Sequence, residues 1–195
     1  MKFFAAFAAA ATLFCATTVH AGDTGRDANL FTQWRSGHAQ QMAEFESYLK
    51  SQNVADVVPH FQLLRSASMW KQCGAEPFQL PPKAQWKQVS DVLQLLKELR
   101  AKNAIGDFEV VSGYRDPKLN KCAGGAPRSA HTRFAVDLLP KADIGDKLCG
   151  FWRTAGKAWN MGVSRYPSGR VHVDRGGYRT WGASHGRGSS YCLKR

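Results

Sequence analysis

Between Pro82 and Lys102 the apolar residues Trp86, Val89, Val92, Leu93, Leu96 and Leu99 recur at spacings of three and four. That period predicts an amphipathic helix. Pro82 suits its start, and Lys97, Arg100 and Lys102 suit its C-terminal end, where the helix dipole favours cations. A looser helical pattern runs over 28–50 through Leu30, Phe31, Trp34, Met42, Phe45 and Leu49, broken at Gly37. A second helix is predicted over 54–70, with Pro59 near its start. Further on, Ile144, Leu148, Phe151, Trp152, Ala155 and Trp159 predict another helix, which Gly162 would close as a left-handed cap. Four short runs read instead as strands: 108–111, halted by Ser112-Gly113, then 134–139, 163–166 and 170–174. The last two are joined by the turn signal Pro167-Ser168-Gly169. The stretch 116–129, with Pro117, Gly124, Gly125 and Pro127, reads as a loop.

Composition narrows the class. At 195 residues, with 44% hydrophobic and 22% charged residues, the chain is globular and about one domain long. Disorder, collagen and coiled coil are excluded. Lys2 is followed by an Ala-rich apolar run ending in Val19-His20-Ala21, with polar Gly22-Asp23 beyond it, so residues 1–21 are expected to be a secretory signal peptide. The run is too short to span a bilayer comfortably, no other apolar stretch reaches about 20 residues, and the bulky Phe14 before Cys15 argues against a lipoprotein. The expected organisation is therefore a leader over 1–21, a helical N-terminal segment over 22–79 and a chemistry-bearing domain over 80–195. The mature protein is expected to be secreted or periplasmic, without an integral membrane segment, and monomeric.

The formal net charge is +12, and removal of the leader's lone cation, Lys2, leaves +11. Such a balance suits either an anionic neighbour or a generic solvated surface. Export favours wall polymers or anionic surfaces over nucleic acid, and the basic residues are scattered. Four cysteines remain after cleavage, Cys73, Cys122, Cys149 and Cys192. In an exported chain they read as two disulfides with three possible connectivities. None of them has the close spacing of a thiolate zinc site.

The candidate chemistry lies in the strands. Period two turns Val171 and Val173 one way and Arg170, His172 and Asp174 the other. It also separates Asp137 from Phe134 and Val136, with His131 a few residues upstream. Two histidines and a carboxylate on a rigid sheet could supply three protein ligands to zinc and leave a fourth position open, an arrangement suited to hydrolysis. A structural His–Asp hydrogen-bonded pair is the plainer reading of the same residues.

Several motifs occur in order: Ser112-Gly113-Tyr114-Arg115, the Gly124-Gly125-Ala126 loop, Ser129-Ala130-His131 leading to Ala135-Val136-Asp137, and Arg165-Tyr166-Pro167 before Val171-His172-Val173-Asp174. Over roughly 80–182 they resemble the zinc D-Ala-D-Ala carboxypeptidase and murein endopeptidase family, whose fold is shared with lysostaphin-type enzymes and the hedgehog signalling domain. The resemblance implies that His131, Asp137 and His172 bind zinc. It also implies that Arg115 contacts the substrate, where a guanidinium can grip a carboxylate or offset an oxyanion; a salt bridge with Asp116 or another acid is the plainer alternative. Ser129 would support that loop.

Two departures stand out. Five residues separate His131 from Asp137, where the family usually has six, and a one-residue slip on a strand reverses side-chain direction. The positions from which many relatives supply a general base hold Gly169 and Arg170. Asp174 is then the nearest candidate, either as base or as the group orienting His172; His185 is a further one, although its Gly- and Ser-rich surroundings read more simply as an exposed tail. The expected fold is α+β: a small antiparallel sheet with flanking helices, a helical N-terminal layer and two disulfides. The expected function is zinc-dependent hydrolysis of peptide bonds in peptidoglycan stem peptides, by a carboxypeptidase or an endopeptidase. The alternative is a non-catalytic exported peptidoglycan-binding protein on the same scaffold. A basic exported nuclease would need a phosphate-gripping cluster, for which Arg115, Arg133 and Arg170 are only scattered candidates.

Overall fold

The computed structural model describes residues 28–182 and 184–193; the expected signal peptide lies outside them. The loose N-terminal pattern becomes two helices, α1 (Ala28–Ser36) and α2 (Ala39–Ser51), parted at Gly37-His38. Their apolar faces bury Phe31 and Trp34, and Met42, Phe45 and Leu49. Phe31 packs edge-on against Phe78 at 5.1 Å, and Phe45 against Trp86 at 5.3 Å. Trp86 opens the long helix α4 (Trp86–Ala101), in which all six residues of the three-and-four pattern are buried.

The helix expected over 54–70 contracts to one turn, α3 (His60–Leu63), which starts directly after Pro59. Beyond it the backbone finds partners outside a helix. Arg65 forms a bridge with Phe78, Gln79 N–H donates to the Leu64 carbonyl, and the Ser66 hydroxyl donates to the carbonyls of Glu76 and Pro77. Tertiary pairing here overrides helix propensity.

The sheet contains β1 (Phe108–Ser112), β2 (Ala135–Pro140), β3 (Gly162–Arg165), β4 (Val171–Asp174) and β5 (Arg179–Trp181), in the order β1-β2-β4-β3-β5. The first four are antiparallel as expected. The fifth, from the polar tail, pairs parallel to β3. Val110, Val136, Leu138, Val163, Val171 and Val173 join the hydrophobic core together with α4.

Two further expectations need correction. The 116–129 stretch contains a short helix, α5 (Pro117–Cys122), because the Asp116 carboxylate caps the Leu119 N–H at 2.9 Å and Pro117 fits the first turn. Helix α6 (Gly145–Thr154) ends earlier than its apolar period, and Gly162 begins β3 instead of capping it. The left-handed residue is Asn160, with φ 47°. The disulfides are Cys73–Cys122 and Cys149–Cys192.

Candidate metal centre

The sheet register sets Asp137 directly opposite His172 across β2 and β4. A bulge near the end of β1 sets Ser112 opposite Asp137 on the other side. His131 arrives from a single 3-10 turn, Ala130–Thr132, whose start is capped by Ser129 Oγ accepting the His131 N–H at 3.3 Å. From that turn the chain enters β2 at Ala135, and the Asp137 carboxylate points inward at both histidines. Asp137 Oδ1 lies 3.1 Å from His172 Nδ1 and 3.3 Å from His131 Nε2. The three residues offer ligand atoms all within 4.8 Å of one another, and all three are buried.

The hydrogen bonds behind the trio fix which nitrogens face inward. His131 Nδ1–H donates to the Gly113 carbonyl at 2.7 Å, which leaves Nε2 as an electron-pair donor. His172 Nε2–H donates to Asp174 Oδ2 at 2.9 Å, which leaves Nδ1 facing Asp137. Two imidazole nitrogens therefore converge on one carboxylate oxygen, an arrangement that needs a proton or a cation among them. Tetrahedral zinc, with Zn–N about 2.0–2.1 Å, sets its donors roughly 3.3 Å apart, close to the two Asp137 spacings. A carboxylate and a carbonyl behind the two histidines are the usual support of such a site. The residues present fit zinc.

Electrostatics agree with the geometry. Burial lowers the pKa of His131 and keeps it neutral. Burial works the same way on His172, but hydrogen bonds and charge from Asp137 and Asp174 outweigh it and raise the value to about 8. Burial opposes charge on Asp137, yet the two imidazoles facing it hold it well below the usual carboxylate range. In the metal-free protein a proton on His172 thus takes the cation's place.

Arg115 lies beside the trio, in an ion pair with Asp137. Its Nη2 donates to Asp137 Oδ2 at 3.0 Å, and Nε and Nη2 donate to Ser112 Oγ at 3.1 and 2.9 Å. Asp174 is placed otherwise. It is fully buried behind His172, where Arg179 Nη1 and Nη2 donate to its two oxygens at 2.9 and 2.6 Å. Burial would push its pKa up, but His172 and Arg179 lower it to about 2. This placement argues against the general-base role expected of Asp174, because a carboxylate bound on both oxygens behind a ligand has no path to a water in the cavity. Orientation of His172, the other role weighed for it, is what its geometry serves.

The trio opens into a cavity of about 880 Å³, lined also by Tyr166, Arg170, Trp181, His185 and Arg187. Arg133 lies elsewhere, beside Asp174 and Gly176. Tyr178 stacks on Trp152 at 4.7 Å, and Trp181 meets the His172 ring edge-on at 5.0 Å. Sequence reasoning missed Arg179, Trp181 and the Gly113 carbonyl as parts of the site. The first two sit in a short strand within a polar tail, and a backbone carbonyl leaves no signature in side-chain patterning.

The family model described as Peptidase M15 matches residues 60–174. No match was found among curated proteins or among solved structures.

Proposed function

We propose, from the premise that this chain belongs to the peptidase M15 family, that it hydrolyses peptide bonds in peptidoglycan stem peptides, with zinc held by His131, Asp137 and His172. The convergence of these three side chains at the floor of an open cavity carries the reading. When bound, zinc supplies Lewis acidity and lowers the pKa of a water toward neutrality.

The chain's own groups divide the remaining work. Asp174, with Arg179 behind it, fixes the tautomer and angle of His172. Arg115 presents a guanidinium where a substrate carboxylate or a developing oxyanion would sit. Burial pushes the Tyr166 phenol up, so it keeps its proton and can donate from the cavity wall. Asp137 is the only carboxylate among the described residues of the wall, and it is tied to Arg115. The His185 imidazole, which lines the cavity without a side-chain partner among the described residues, is our candidate to accept the proton from the attacking water.

Two disulfides suit an oxidising compartment outside the cytosol. No helix among the described residues is long and apolar enough to cross a membrane. The disulfides fit the expected export to wall material.

The test is digestion of purified peptidoglycan by zinc-loaded protein with and without a chelator, followed by mass analysis. Loss of a terminal D-Ala identifies a carboxypeptidase, and conversion of crosslinked dimers to monomers identifies an endopeptidase. Either should stop with the chelator and return with zinc. Unchanged fragments with zinc-loaded protein overturn the reading. The absence of a free carboxylate among the described residues of the wall favours one alternative, a non-catalytic wall-binding protein, which would co-sediment with peptidoglycan and release nothing.

A further inference from the structure

Five guanidiniums line the cavity, those of Arg115, Arg128, Arg170, Arg179 and Arg187, against the single carboxylate of Asp137 among the described residues. Two of them are matched, Arg115 by Asp137 and Arg179 by Asp174. Arg170 has no ion-pair partner among the described residues. It is half-buried, and its charge is felt repulsively at Arg115.

These two arginines reach the trio from different elements, the Arg115 guanidinium resting on Asp137 Oδ2 and Ser112 Oγ and Arg170 standing directly before β4. Arg115 N–H donates to the His131 carbonyl at 3.0 Å, near where β2 begins. Arg170 precedes Val171, which pairs with Leu138 toward the other end of β2. Along β4, period two sets Arg170 on the face of His172, about 7 Å away. Like charges held around a partly enclosed cavity repel, and an entering anion relieves that repulsion. A carboxylate is the anion a guanidinium grips in bidentate fashion.

We propose that Arg170 forms a second carboxylate subsite, so that the substrate is an acidic peptide with one carboxylate on each side of the scissile bond. Arg115 takes one and Arg170 the other. Arg128 and Arg187, exposed on the rim, add to the field that draws such a peptide in. This inference rests on the peptidase reading above and names its substrate class.

The test uses two synthetic stem-like peptides that share a C-terminal carboxylate. On the other side of the scissile bond, one carries a free carboxylate and the other its carboxamide. Each is made in hydrolysable form and as a non-cleavable ketomethylene isostere, and binding of the isosteres to zinc-loaded protein is followed by calorimetry. The wild type is expected to bind the acid at least about tenfold more tightly than the amide. Arg170→Gln should bring that ratio close to one, and Arg170→Lys, which keeps charge but loses the fork, should fall between. Equal affinities in the wild type, or an undiminished ratio in both variants, overturn the subsite. Failure of the zinc-loaded wild type to cleave either hydrolysable peptide overturns the peptidase reading instead, and the isostere ratio still decides the subsite. If Arg170→Gln does not fold, the wild-type ratio and Arg170→Lys decide.

Discussion

At the scale of single residues, Asp174 and His185 carry different proposed tasks and should fail differently. Asp174→Asn removes the acceptor that holds His172 Nε2–H, so zinc affinity should fall about 10- to 100-fold, measured by competition with a chromophoric chelator. His185→Ala should leave zinc bound and lower turnover by about 10²- to 10⁴-fold, the usual contribution of a general base. Unchanged turnover in that variant would remove His185 from the mechanism. His172 adds a pH dependence. Without metal its value is raised to about 8, so the protonated form stabilises the fold. That contribution, about 2 kcal/mol, is complete below the unfolded value near 6.5 and disappears as pH rises through about 8. Thermal unfolding of chelator-treated protein should therefore show a melting temperature that falls across this window. Zinc replaces the proton, so the loaded protein should not share the fall, and zinc uptake below pH 8 should release a proton detectable by calorimetry in buffers of different ionisation enthalpy.

The elements explain why so much of this site could be expected and why part of it could not. Alternation along β4 and β2 already put His172 and Asp137 on the face opposite the valines, because a strand whose apolar face is buried has its register fixed. The long helix α4 was legible for the same reason, its period being set by the core it covers. What could not be read was set by partners distant in sequence. Residues 64–66 leave the helical pattern because Phe78, Glu76 and Pro77 offer backbone bonds. The β5 strand exists because β3 presents an edge to it. Asp174 presented a carboxylate on the correct face, yet its role depends on Arg179 of β5, which no local pattern announces. Gly113 shows how tightly these pieces meet, since a Cβ there would stand 2.4 Å from the Leu63 carbonyl oxygen. Gly113→Ala should cost about 1–3 kcal/mol by overpacking. Because the same residue's carbonyl holds His131, zinc affinity should fall as well. A melting curve and a zinc titration on one preparation check both, and a destabilised variant with undiminished affinity would detach the turn from the metal centre.

Over the whole molecule, the two disulfides close loops of similar length, with sequence separations of 49 and 43, but they tether different things. An even cysteine count announced two bridges, whereas their pairing depends on which elements the core brings together, and that lies beyond spacing. Cys73–Cys122 joins the segment after α3 to α5. Cys149–Cys192 ties the tail to α6, and that tail carries Arg179, Trp181, His185 and Arg187 along the cavity wall. Chain-entropy estimates give each bridge about 4 kcal/mol, so paired replacement of either by serine should lower stability by a comparable amount. The consequences for function should differ. With Cys149→Ser and Cys192→Ser the tail is freed to leave the wall, so peptide affinity and turnover should fall at temperatures where the fold persists. With Cys73→Ser and Cys122→Ser both should stay near the wild-type level under the same conditions. Stability curves and peptide kinetics for the two double variants, compared at a temperature well below both melting points, distinguish this from a purely structural role. Equal kinetics in the two would mean that the tail holds its place on the cavity without its covalent tie.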